Sequence, residues 1–80
     1  MKLTKQQISE HINEVLIRLF EVENDLLVPD AKLYDDLDID SIDTIDLLIE
    51  LKRIIGQDID PQAFREARTL DDVATVIVEL

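Results

Sequence analysis

A serine hydroxyl surrounded by carboxylates is the main chemical feature of this 80-residue sequence. Ser41 follows Asp40 at the point where an irregular segment gives way to helical spacing of apolar residues. Seven carboxylates and no lysine or arginine lie between Leu33 and Leu51. They are Asp35, Asp36, Asp38, Asp40, Asp43, Asp46 and Glu50. A helix start presents unpaired amide hydrogens and a partial positive charge, so a phosphate ester on Ser41 would be stabilised there.

The residue that caps this helix decides whether the Ser41 hydroxyl is available for chemistry. Local preference favours Ser41 itself, because a serine side chain readily accepts a hydrogen bond from an amide of the first turn. The alternative places Asp40 at the cap with Asp43 as its reciprocal partner. Ser41 would then be the first helical residue, with a free hydroxyl.

The acids after Ser41 share one helix face with an arginine. On a wheel of about 100° per residue they fall within an arc of roughly 80°. These residues are Asp43, Asp46, Glu50 and Arg53. We call Asp43, Asp46 and Glu50 the acidic strip; Ile42 and Ile49 border it, and we expect both to be half exposed. The opposite face predicts a core of Leu47, Leu48, Leu51, Ile54 and Ile55. In most globular proteins such a charge run is only a solvated face.

The elements that position these residues are predicted to be helices. Thr4 and Gln7 form a capping box that opens a first helix over 5–20. Its apolar stripe, which must lie against other helices, is Ile8, Ile12, Val15, Leu16, Leu19 and Phe20. The irregular segment over 21–40 is unusually long for so small a domain, which favours a functional role.

Capping residues, a glycine and a proline in the rest of the chain predict three more helices. The second runs from Ile42 to Ile55 and ends at Gly56, and Asp60 followed by Pro61 opens a short third helix over 61–67. Thr69 caps the last, whose apolar residues are Leu70, Val73, Val76, Ile77 and Leu80. The sequence therefore predicts an all-α fold, a small four-helix bundle with a long loop between helices one and two, in which 1–80 form a single domain.

Composition excludes several classes of function. Eight Lys and Arg against nineteen Asp and Glu give 8 − 19 = −11, which opposes binding to nucleic acid or to anionic membranes. There is no cysteine for a disulfide, a thiolate metal site or a thiol nucleophile. The polar start lacks a signal-peptide core, and no apolar run approaches the roughly 18 to 20 residues of a membrane span. We therefore expect a cytoplasmic protein, and a monomer.

The segment Asp36-Leu37-Asp38-Ile39-Asp40-Ser41-Ile42-Asp43-Thr44-Ile45-Asp46-Leu47 resembles the modification segment of acyl carrier proteins. The usual pattern there is Asp-Leu-Gly-x-Asp-Ser-Leu-Asp-x-Val-Glu-Leu. The resemblance extends over nearly all of the chain, through its length, the long first loop, the short third helix and the Thr69-Leu70-Asp71-Asp72-Val73 start of the last helix.

This resemblance implies a carrier protein and not an enzyme. It implies that a separate phosphopantetheinyl transferase uses coenzyme A and a divalent metal to attach 4′-phosphopantetheine to Ser41. The thiol of that arm would carry acyl groups as thioesters among fatty-acid, lipid or polyketide biosynthetic enzymes. Partner recognition, by the same resemblance, is predicted for Asp40, Ile42, Asp43, Asp46, Ile49 and Glu50, whose acids would meet basic patches on those enzymes.

Departures from the family pattern favour a specialised carrier over the housekeeping fatty-acid one. Asp38 replaces a glycine, which predicts a stiffer and more negative turn before Ser41. Lys52 and Arg53 stand where acids are common and shorten the strip. Phe64 is bulkier than usual, and is either ordinary core or an alteration of the pocket that shelters an acyl chain.

Other functional hypotheses are weaker. An unmodified acidic docking module stays open, whereas a peptidyl carrier domain usually has Gly-Gly-x-Ser, and Asp40 argues against it. Alternate acids suggest a calcium loop, but Ser41 and Leu47 occupy the positions that need glycine and glutamate, so no metal site is predicted. Catalysis has little basis, because His11 is the only histidine and is expected at the edge of the first helix stripe.

Overall fold

The protein is described here by a computed structural model covering residues 3–80. Four helices follow in order: α1 (Lys5–Phe20), α2 (Ser41–Ile55), α3 (Pro61–Glu66) and α4 (Leu70–Val78). The α1–α2 loop contains one 3-10 turn, Asn24–Leu26. Residues 3–80 contain no β-strand, only an isolated bridge between Lys32 and Thr69. The predicted all-α fold, with its long first loop and short third helix, is confirmed.

Hydrogen bonds local to each helix end set these boundaries. The Gln7 amide donates to the Thr4 hydroxyl at 3.1 Å, and the Thr4 amide donates to Gln7 Oε1 at 2.9 Å. Thr69 and Asp72 form the same box at the start of α4. Gly56 ends α2 with φ of 76°, a left-handed conformation that glycine adopts without a Cβ clash. The predicted boundaries are therefore close, with α3 ending one residue early at Glu66.

The core lies where α1 contacts α2 and α4, and where α3 closes against α2 and α4. The first-helix stripe is confirmed by four fully buried residues: Ile8, Ile12, Val15 and Leu16. Leu19, however, is 42% exposed, and of the residues expected in the core from α2, Ile54 is 38% exposed. Leu80 lies beyond the end of α4 and is also exposed. Helical periodicity selects a face, but it does not tell how far the neighbouring helices extend along it.

The loop between α1 and α2 is fastened to the start of α4. Leu33, Leu37 and Ile39 bury their side chains in the core. The Leu33 amide donates to the Arg68 carbonyl at 2.9 Å, and the Ile39 amide donates to the Leu33 carbonyl at 3.0 Å. These bonds hold the chain that leads into α2 against the body of the protein. None of the helices in residues 3–80 is both long enough and apolar enough to traverse a bilayer.

Candidate functional site

Asp40, not Ser41, caps α2. Asp40 Oδ1 accepts from the Asp43 amide at 2.8 Å, and Asp43 Oδ2 accepts from the Asp40 amide at 3.3 Å. The expectation from local preference that Ser41 is the cap was wrong. A cap at Ser41 would place Thr44 at the reciprocal position, and the Thr44 hydroxyl instead donates to the Asp40 carbonyl at 2.9 Å. Only the Asp40 cap has a partner able to complete the box.

The Ser41 hydroxyl is consequently free. Ser41 is exposed, it is the first residue of α2, and its hydroxyl makes no hydrogen bond with residues 3–80. The amides of Ser41 and Ile42 also lack a partner among those residues, as is usual in a first helical turn. A hydroxyl beside two free amides fits a phosphate ester: the oxygen provides the attachment and the amides stabilise the anion. The residues present therefore fit a phosphopantetheine group.

The turn before Ser41 contains a residue in a conformation unusual for its type. Asp38 has φ of 57°, in the left-handed region. Aspartate and asparagine tolerate this region better than other non-glycine residues, although at a steric cost. A glycine, as in the family pattern, would adopt this φ without that steric cost, whereas Asp38 adds a negative charge to the turn.

The acidic strip lies beside a ridge of exposed isoleucines. Asp46 is exposed and Asp43 is half-buried. Ile42, Ile45 and Ile49 are 69%, 56% and 57% exposed, which is more than the half exposure expected for Ile42 and Ile49. Ile45 was missed at the sequence level. Its spacing three after Ile42 and four before Ile49 could have identified it, because such positions share a helix face.

Glu50 is held by two arginines, unlike the rest of the acidic strip. Glu50 Oε1 accepts from Arg18 Nη2 at 2.9 Å and from Arg53 Nη2 at 2.5 Å. The Arg53 hydrogen bond lowers the pKa of the Glu50 carboxyl below its ordinary value, and Arg18 acts in the same direction. Glu50 thus links α2 to α1. The pair with Arg53, three residues away, could be expected from spacing, but nothing local indicates Arg18.

A cavity of about 470 Å³ opens beside Ser41, between α2 and α3. Its lining consists of Tyr34, Ser41, Thr44, Ile45, Leu48, Pro61, Phe64 and Arg65. Phe64 is only 1% exposed, so it is both a core residue and part of the cavity wall. Two lining residues other than Ser41 carry hydroxyl groups, and the Thr44 hydroxyl lies 3.4 Å from the Tyr34 hydroxyl. Tyr34 and Arg65 were not identified from the sequence, which carries no local signal for them.

Two further sequence candidates lie outside this site. His11 is half-buried on α1 and does not line the cavity beside Ser41. The alternate acids of the α1–α2 loop do not converge: within residues 3–80 no group of three or more His, Cys, Asp or Glu side chains is arranged to hold a metal ion. Asp36 instead accepts a hydrogen bond from the Lys32 amide at 2.8 Å, and Asp40 caps α2.

The sequence is similar to one protein family and to several members of it. The protein-family model described as "Phosphopantetheine attachment site" matches residues 10–77. "Acyl carrier protein 2" of Ralstonia nicotianae is 35% identical over 78 residues, covering 98% of this chain and 96% of the relative. "Acyl carrier protein" of Petrotoga mobilis is 26% identical, covering 96% and 91%. "Meromycolate extension acyl carrier protein" of Mycobacterium leprae is 29% identical over 80 residues, covering 100% and 70%.

These comparisons establish the class of function. The match to the phosphopantetheine family covers more than half of the chain, and the Ralstonia relative is similar along almost its full length. The cofactor of this class is 4′-phosphopantetheine, and the protein is a carrier acted on by enzymes and not itself a catalyst. The chain belongs to the acyl carrier protein family.

Proposed function

We propose that Ser41 is the residue to which 4′-phosphopantetheine is attached. The observation that carries this proposal is the capping of α2 by Asp40, which leaves the Ser41 hydroxyl exposed and unbonded at the helix start. When bound, the arm supplies the thiol that this cysteine-free chain lacks. The amides of Ser41 and Ile42 would donate to the phosphodiester, and the adjacent cavity would receive what the arm carries.

Intact mass spectrometry tests the assignment. The protein is incubated with coenzyme A, magnesium and a promiscuous phosphopantetheinyl transferase. We expect one phosphopantetheine to be added, and none to be added to Ser41→Ala. Ser9→Ala is the matched control, because Ser9 is the only other serine in the chain. Attachment to Ser41→Ala, or loss of attachment in Ser9→Ala, would contradict the proposal.

We further propose that the start and exposed side of α2 recognise the transferase and the biosynthetic enzymes. Asp40, Asp43 and Asp46 provide negative charge, and Ile42 and Ile49 provide exposed apolar contacts. Opposite charges speed the encounter and orient the partners while adding modest affinity, which suits a carrier that must dissociate. Because Arg18 and Arg53 hold Glu50 and offset its negative charge, we propose that Glu50 contributes less to recognition than Asp43 and Asp46 do.

We propose that residues 1–80 act as one carrier domain, monomeric and cytoplasmic, in lipid biosynthesis. A single hydrophobic core and a net charge of −11, which opposes self-association, support the first two points. The relative named for meromycolate extension supports a lipid pathway. The departures at Asp38, Lys52 and Arg53 support a specialised carrier. Light scattering of the purified protein measures its oligomeric state, for which we expect the 9.2 kDa monomer.

A further inference from the structure

Three basic residues remain without an ion pair in this acidic chain. Four of the Lys and Arg in residues 3–80 pair with carboxylates: Lys5, Arg18, Lys52 and Arg53. The other three form no ion pair with any residue of that range; they are Lys32, Arg65 and Arg68. With nineteen acids available, this absence of pairing calls for a physical explanation.

All three unpaired residues line one cavity of about 440 Å³. The rest of its lining comprises Tyr34, Asp35, Glu66 and Ala67. Three cations face two carboxylates there, a local excess opposite in sign to the net charge of −11. The fold creates this excess, because the Lys32–Thr69 bridge and the bond from the Leu33 amide to the Arg68 carbonyl join the long loop to the α3–α4 connection.

This cationic cavity adjoins the cavity beside Ser41. Tyr34 and Arg65 line both. Away from these two residues the wall beside Ser41 is mainly apolar, formed by Ile45, Leu48, Pro61 and Phe64. A chain attached through Ser41 and lying in the first cavity would contact these apolar side chains and Arg65, which lines the cationic cavity together with Lys32 and Arg68.

We propose that the cationic cavity binds the distal carboxylate of an acyl group carried through Ser41; this inference rests on the proposed function. A guanidinium binds a carboxylate with paired, charge-assisted hydrogen bonds, and Lys32 and Arg68 add attraction from the same cavity. An acyl chain ending in a methyl group gains nothing from these cations. The cargo class is thus an acyl thioester whose carboxylate lies several carbons beyond the thioester carbonyl.

Two six-carbon cargoes that differ only at the far end test the proposal. Hexanoyl-coenzyme A and adipoyl-coenzyme A are used with the transferase to load the full chain, and amide and guanidinium NMR shifts are compared with those of the holo protein. We expect the adipoyl form alone to shift the resonances of Lys32 and Arg68, which line only the cationic cavity, and the shifts to shrink as salt increases. In Arg65→Gln the shifts are lost. Lys52→Gln, which removes a cation that lines neither cavity, keeps them.

Hydrolysis of the thioester gives a second measurement. We expect Arg65→Gln to speed hydrolysis of the adipoyl form by about twofold to fivefold, the range for an exposed ion pair, and to leave the hexanoyl form unchanged. Arg68→Gln is the second variant, should Arg65→Gln lose the dispersed spectrum of a folded protein.

Each outcome is decisive. Equal shifts for both cargoes, or adipoyl shifts that persist in Arg65→Gln, would overturn the carboxylate site. If the same resonances shift between the apo and holo proteins and adipoyl loading changes them no further, the arm phosphate is the bound anion, which would also overturn the carboxylate site. Failure of Ser41 to accept any arm, measured by mass, would instead refute the proposed function.

Discussion

Asp46 is the member of the acidic strip that we propose contacts a partner most directly. It is exposed, and it makes no ion pair or side-chain hydrogen bond with residues 3–80. Asp43 has a second role, because it closes the capping box with Asp40. A substitution of Asp43 would therefore disturb the start of α2 as well as the field, whereas a substitution of Asp46 tests the field alone.

We expect Asp46→Lys to slow loading by the transferase about threefold to tenfold at low salt, because it reverses a charge that attracts a basic partner. The difference from wild type should shrink as salt increases, since exposed charges are screened. Asp58→Lys is the matched control: it makes the same charge change at a side chain 98% exposed beyond the end of α2. If Asp58→Lys slows loading equally, net charge and not the strip is responsible.

The left-handed conformation of Asp38 leads to a prediction about stability. Asp38→Gly and Asp38→Ala remove the same charge, but only glycine adopts a φ near 57° without steric cost. We expect the glycine variant to have the higher free energy of unfolding, by about 1 kcal/mol. Urea unfolding measures the difference. Equal stabilities would show that the turn relaxes to another conformation when the aspartate is removed.

At the scale of elements, the start of α4 secures the loop that delivers Ser41. The Thr69 and Asp72 side chains close the capping box, and the Leu70 amide donates to the Ala31 carbonyl at 3.1 Å. Asp72 Oδ2 also accepts from the amides of Arg68 and Thr69, at 3.1 and 3.2 Å. Hydrogen bonds from those two amides lower the pKa of the Asp72 carboxyl.

The lowered pKa of Asp72 predicts a pH-dependent contribution to stability. Its folded-state pKa lies below the unfolded value near 3.8, so its stabilisation is complete above that value and is lost as pH falls through the folded-state pKa. We expect Asp72→Asn to cost about 0.5 kcal/mol at pH 7, the low end for an exposed cap, and less as the pH approaches 2. Glu79→Gln removes an equal charge at the end of α4 and serves as control in urea unfolding. If Asp72→Asn lowers the free energy of unfolding by the same amount at every pH, the charge of Asp72 is not the cause, which would contradict the prediction.

At the scale of the whole molecule, the net charge of −11 opposes the compact state. The Cα radius of gyration is 11.2 Å, so nineteen acids share a small surface. Ion pairs offset part of this repulsion, but they use only a few of the carboxylates in residues 3–80. Counterions must offset more of it.

We expect millimolar calcium or magnesium to raise Tm by roughly 2 to 8 °C, which corresponds to about 0.5 to 1 kcal/mol for a chain of this size. Sodium chloride of equal ionic strength should raise it less. The effect should be similar for both ions, because residues 3–80 contain no cluster of three or more ligands suited to one of them. Differential scanning calorimetry measures Tm, and a Tm insensitive to either ion would contradict the prediction.

The interactions that could be predicted from the sequence join residues close along the chain. The capping boxes at Thr4 and Thr69, the cap at Asp60 and the glycine at Gly56 depend on groups two to four residues apart, so spacing is sufficient. The choice between Asp40 and Ser41 shows the limit of propensity. Both are good caps, and the partner three residues on, not the cap type, distinguishes them.

The sequence by itself determined the helices, the family resemblance and the serine that the resemblance marks. Only the tertiary structure decided that Arg18 binds Glu50 from 32 residues away, and that Tyr34 and Arg65 border the cavity beside Ser41. It also decided that Ile54 is exposed. The physical reason is that local hydrogen bonds and periodicity act within a few residues. Contacts between distant residues depend on where helices cross and how far each extends, and no single segment specifies either.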